Sequence, residues 1–249
     1  MRGRRCMDTR MLDTLNQGRP GSMEEPVNRF VAPGAMTVAV PVGMFFNPLR
    51  TGREEIDRLG AEAVALTHGG ALAFLSGAAL SHMVSRCLTQ PKIPLKQLVS
   101  ETIAAVRDQF GHQYSQCGEL AALLRAAVSM ADDPGYTSYD VMEKLRCENA
   151  AQVLAGAVYA MAFGGEEFDA SMITAVNHSG RSTAVGAVTG ALLGLRHGEE
   201  ALPGFYMECL EPVEILMELA DDLYHGCPLE MGNRLFDLEW DRKYVHGGR

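Results

Sequence analysis

The chain is short of positive charge, of patterned cysteine and of long apolar runs. Its 249 residues hold 22 Lys and Arg against 31 Asp and Glu, a formal net charge of −9. That balance excludes the basic surface needed for an electrostatic grip on nucleic acid or on an anionic membrane. The nearest approach to one, Arg2, Arg4, Arg5 and Arg10, reads as a solvated tail. Cys6, Cys87, Cys117, Cys147, Cys209 and Cys227 are scattered without CxxC or other metal-ligand spacing, and no secretory h-region follows the arginines. Reduced thiols in a cytoplasmic protein are therefore expected. The longest weakly polar run, 64–84, contains Thr67, His68, Ser76, Ser81 and His82, which makes it a poor bilayer span and a good buried helix. Strand signals are scarce as well. Only 36–46 (MTVAVPVGMFF) leans towards β structure, and Pro41 and Gly43 interrupt it.

What remains is helical punctuation. Apolar residues recur at helical spacing over 56–66, 71–88, 95–110, 120–131, 139–145, 150–163, 168–175, 183–195 and 213–223. The breaks fall at Gly111, at Asp132-Asp133-Pro134-Gly135, at Gly164-Gly165, at Gly198 and at Pro203-Gly204, where helices stop. The pattern predicts an all-α, multi-helix domain over 36–226. An irregular lead-in precedes it over 1–35, with a short helix around residues 11–16, and a tail follows over 227–249 whose Leu235, Phe236, Leu238 and Trp240 are enough to dock it on the body. Gly186, Gly190 and Gly194, four apart, predict a helix face that another helix can approach closely.

The stretch 177–194, NHSGRSTAVGAVTGALLG, runs a polar turn into a helix of small residues. A helix N-terminus offers unpaired N–H groups and a partial positive charge to an anion. Asn177, His178, Ser179, Gly180, Arg181 and Ser182 are thus candidate ligand-binding residues, while Ser179 as an ordinary helix cap explains the same pattern.

With the residues preceding it, AVNHSGRSTAVGAVTGALLG resembles the C-terminal signature of the ADP-ribosylglycohydrolase family. Three other segments resemble that family in the same order: PVNRFVAPGAMTVAVPVGMF at 26–45, ALTHGGALAFLSGAAL at 65–80 and LPGFYMECLE at 202–211. The resemblance implies a compact all-α fold, matched over roughly residues 10 to 225. It also implies an N-terminally truncated domain, because the family's Thr-Asp-Asp element should precede the matched part and no TDD string occurs here. Active members use two Mg²⁺ ions to cleave a glycosidic bond to ADP-ribose, held by that element and by an Asp-x-Asp-x-Thr element in the signature.

In this sequence the signature's metal positions fall on Arg181, Thr183 and Val185. Mg²⁺ wants oxygen ligands, chiefly carboxylates and water, and +1 beside +2 at ~4 Å costs about 8 kcal/mol at an effective dielectric of ~20. No metal ligand and no catalytic residue is therefore predicted, and no cofactor, although active members use magnesium. The family's AEEAL-like helix reads Ala150-Ala151-Gln152-Val153-Leu154, and the position after the glycine-rich turn that often holds arginine falls on Thr37 or Val38. The pairs Asp132-Asp133 and Asp221-Asp222 read as solvated surface, and His68 and His82 as core or boundary residues. Three functions stay open. One is an impaired relative that still binds ADP-ribose or a related nucleotide, with Arg181 gripping phosphate or else pairing with a neighbouring acid. Another is a hydrolase completed by a separately encoded N-terminal segment. The third is a non-catalytic helical protein that self-associates or holds a partner.

Overall fold

Each periodic segment becomes a helix. The computed structural model describes residues 9–46, 48, 50–208, 210, 213–225, 242 and 243. Its helices are α1 (Thr9–Asn16), α2 (Ala39–Phe45), α3 (Arg53–Ala65), α4 (Ala71–Thr89), α5 (Leu95–Phe110), α6 (Gln116–Ala131), α7 (Ser138–Leu145), α8 (Ala150–Phe163), α9 (Phe168–Val176), α10 (Ser182–His197), α11 (Gly204–Glu208) and α12 (Val213–His225). Short 3-10 segments cover Pro33–Val38 and Glu199–Ala201. Among the described residues there is no strand, as the all-α pattern requires.

The β-leaning stretch is helical after all. Pro33 opens its 3-10 segment, and Pro41 sits in the first turn of α2, where a backbone N–H has no intrahelical acceptor to lose. Ala35, Met36 and Ala39 are fully buried. The segment's β-branched residues are thus outweighed by small residues that let it lie flat on α4.

The core is built on α4 and α8, which are apolar nearly all round and buried accordingly. α4 is long and apolar enough to cross a membrane, but 89% of that window is buried inside the domain, which accounts for its composition as a core helix. The 64–84 run is two elements, since α3 ends at Ala65 and α4 begins at Ala71. α3 and α4 cross closely: a Cβ on Gly60 would lie 2.1 Å from Ser81 Oγ, and one on Gly77 2.5 Å from Val64 Cγ2. At that crossing Asp57 of α3 and His82 of α4 form a buried pair, Oδ2 to Nδ1 at 2.8 Å. The glycine face of α10 is used only at its start. A Cβ on Gly186 would meet Val176 Cγ1 at 2.9 Å, whereas nothing lies within 4 Å of one on Gly194, because α9 is short and covers only the first half of α10.

The chain divides into two units, Met1–Tyr206 and Met207–Arg249. In the second, Lys243 Nζ donates to Glu218 Oε1 at 2.5 Å and to Asp222 Oδ2 at 2.7 Å. Apart from residues 242 and 243, the proposed docking tail over 227–249 lies outside the described residues.

Candidate functional site

The turn between α9 and α10 is fixed by its own side chains. Asn177 Nδ2 donates to Ile173 O at 2.7 Å, closing the end of α9. His178 lies between Ala175 O, 3.0 Å from Nε2, and the Gly180 N–H, 3.1 Å from Nδ1. A carbonyl on one side and an N–H on the other assign the neutral tautomer with hydrogen on Nε2. Both ring nitrogens are thereby committed to holding the loop.

Ser179 does not cap α10. Its N–H donates to Glu143 Oε1 at 2.7 Å and its Oγ–H to Glu143 Oε2 at 2.6 Å, a two-point grip on a carboxylate near the end of α7. Those bonds, the hydroxyl first and the amide second, hold the Glu143 carboxyl below the usual range. No side chain caps α10; Arg181 occupies the N-cap position, and its carbonyl starts the helix by accepting from Ala184 and Val185 N–H.

The floor of the site is the α7–α8 connection. Arg146 (φ 63°) and Cys147 (φ 49°) both adopt left-handed backbone, uncommon for non-glycine residues, and this turns the Cys147 carbonyl to accept the Arg181 N–H at 2.9 Å. The approach is close enough to demand glycine above it, since a Cβ on Gly180 would lie 2.3 Å from Arg146 O. Cys147 is buried against Gly156 of α8, and burial pushes its thiol up to about 12. Gln152 uses its side chain to accept the Asn149 N–H while Asn149 accepts its own, a capping box for α8.

These elements enclose a depression of about 350 Å³ lined by Glu143, Arg146, Glu148, Ser179, Gly180 and Arg181. Its charges are mostly spent: Glu143 on Ser179, and Arg146 on Glu148 at 3.1 Å. Among the described residues the exposed Arg181 guanidinium makes no ion pair. The alternative in which Arg181 ties the turn to an acid is therefore not the arrangement seen. Ser182 is half-buried and Thr183 exposed beside it, while Val185 is fully buried in the core. The structure thus gathers 177–182 at one surface but turns one of the three signature positions, Val185, into the core. Sequence reasoning missed Glu143, Arg146 and Glu148, which come from a different helix end and carry no local motif. Elsewhere, Asp132 pairs with Lys96 at the surface and Asp133 accepts from Gly135 N–H, as solvated residues do. His68 is fully buried and His82 nearly so. Among the described residues no three His, Cys, Asp or Glu side chains form a group that could hold a metal ion.

The family model described as ADP-ribosylglycohydrolase matches residues 3–232. The chain belongs to the ADP-ribosylglycohydrolase family. A solved structure described as an ADP-ribosylglycohydrolase-related protein complex is similar in fold, with a TM-score of 0.59 and 23% identity over 79% of this chain and 60% of that one. The chain thus spans 60% of the length of that solved relative. No curated protein matches it.

Proposed function

We propose that this member of the ADP-ribosylglycohydrolase family binds ADP-ribose or a related nucleotide through the 177–182 turn without hydrolysing it. The observation that carries the reading is the Arg181 guanidinium, exposed and, among the described residues, without an ion-pair partner, beside the uncapped N-terminus of α10 on the rim of a depression. A guanidinium there offers a phosphate paired N–H donors where metal-dependent relatives place carboxylates.

The residues do not fit a magnesium pair. Thr183 offers one exposed hydroxyl, Val185 is inside the core, and the nearby carboxylates Glu143 and Glu148 already hold Ser179 and Arg146. No step through a metal is derived. Three buried free thiols, Cys87, Cys117 and Cys147, support a reducing, cytoplasmic setting.

Titration calorimetry with ADP-ribose in EDTA tests the reading. Wild type binds, and Arg181→Ala binds at least about tenfold more weakly, the loss of one charge-assisted contact. Equal affinities, or none, dismiss Arg181 as an anion ligand. A second reading, hydrolysis with ligands from a separately encoded segment, draws on the 60% span of the solved relative. Magnesium-dependent release of ADP-ribose from a modified protein would establish it and displace the first.

A further inference from the structure

The Glu143 carboxylate meets the turn as an external anion would. Ser179 presents two donors side by side, its N–H to Oε1 at 2.7 Å and its Oγ–H to Oε2 at 2.6 Å, so both oxygens of one anionic group are gripped at the short distances of charge-assisted bonds. These donors belong to the loop, since α10 begins only at Ser182. Among the described residues no cation pairs with Glu143, and the neighbouring Arg146 turns to Glu148 instead.

The turn does not depend on that grip for its shape. Asn177 Nδ2 closes α9 on Ile173 O, His178 bridges Ala175 O and the Gly180 N–H, and the Arg181 N–H rests on Cys147 O. Ser179 is exposed, so water can satisfy both of its donors if the carboxylate leaves. Glu143 reaches across from near the end of α7, and rotation about its own side-chain torsions withdraws it without moving the backbone. A phosphate carries the same pair of oxygens on one centre, and Arg181 lines the same depression two residues on. With Glu143 in place, its charge repels that phosphate and the two donors are withheld.

We infer that Glu143 is a built-in competitor at the turn, an autoinhibitory contact that occupies both Ser179 donors until an anionic ligand displaces it. The inference rests on the reading that the turn binds ADP-ribose and deepens it: full binding takes the Ser179 N–H and Oγ–H as well as the Arg181 guanidinium.

Titration calorimetry with ADP-ribose in EDTA compares wild type, Glu143→Ala, Glu143→Gln and Glu143→Ala/Ser179→Ala, each checked for its fold by circular dichroism. A competitor and a mere brace of the loop predict opposite signs. Glu143→Ala binds at least about tenfold more tightly than wild type, because the donors stand open and the repelling charge is gone. Glu143→Gln, which keeps the side chain's volume, gains in the same direction. Adding Ser179→Ala gives back most of the gain, and adenosine, which has no phosphate, shows none. Binding by the Glu143 variants where wild type shows none also supports the inference, as its extreme case. If wild type binds and both Glu143 variants bind equally or more weakly, the competitor is overturned and the ADP-ribose reading stands. A gain that survives in full without the Ser179 hydroxyl, or that adenosine shares, overturns it as well. Binding by none of the four proteins overturns both.

Discussion

Gly180 is the position at which the signature turn and the α7–α8 connection touch, and replacing it measures how tightly they are joined. In Gly180→Ala the new methyl would stand 2.3 Å from Arg146 O, 3.0 Å from Cys147 Cβ and 3.1 Å from Cys147 O. The first and last of these are backbone atoms of residues held at φ 63° and 49°. That connection has little freedom to retreat, because Cys147 is fully buried and its carbonyl holds the Arg181 N–H. The cost therefore falls at the upper end of the overpacking range, about 3 kcal/mol. For a chain of this size that lowers the melting temperature by about 6–12 °C. Gly194→Ala is the matched control, since nothing lies within 4 Å of its added methyl and it sits inside α10. It should stabilise by about 0.5–1 kcal/mol through helix propensity alone. Differential scanning calorimetry of both variants decides the point. If Gly180→Ala melts within a degree of wild type, the tight junction between turn and floor is not there.

Two further perturbations probe the polar pairs. Burial raises the Asp57 carboxyl above its ordinary value despite the His82 hydrogen bond, so this acid favours folding at low pH and loses that contribution as pH rises through its folded pKa. His82→Ala removes the hydrogen-bond partner of a buried carboxyl, at a cost of about 1–3 kcal/mol, and urea titrations should show the deficit shrinking as acid protonates Asp57; a deficit independent of pH would contradict it. Glu143 has the opposite sign: Ser179 lowers its pKa, so its hold on the turn is complete above its unfolded pKa and is lost as pH falls through the folded value. Hydrogen exchange at the Ser179 amide should quicken in Glu143→Ala, and unchanged protection would mean that the carboxylate is not what holds that amide.

The fold was legible because its signals are local. Stops such as Gly111 and Gly198 and the apolar periodicity of 71–88 and 150–163 each act within a few residues of where they stand. The stretch 36–46 leans towards β structure by its residues and is nonetheless helical, for the complementary reason. Its valines favour extended backbone in isolation, but Ala35, Ala39 and Gly43 make a surface that fits α4, and that fit is settled by residues forty positions away.

The site divides in the same way. Sequence placed 177–182 at one turn and brought Arg181 to the start of a helix, because both follow from chain order. It could not show that the turn's donors are spent. Ser179 N–H and O–H go to Glu143, thirty-six residues earlier, Gly180 N–H goes to His178, and Arg181 N–H goes to the Cys147 carbonyl. A turn that reads as an open cradle of amides is, in the folded chain, already filled by an internal carboxylate and a carbonyl. Any external anion at this surface must therefore rely on the Arg181 side chain rather than on the backbone, or else displace Glu143 from Ser179. That makes one side chain, not the motif as a whole, the feature on which the proposed ligand binding would turn.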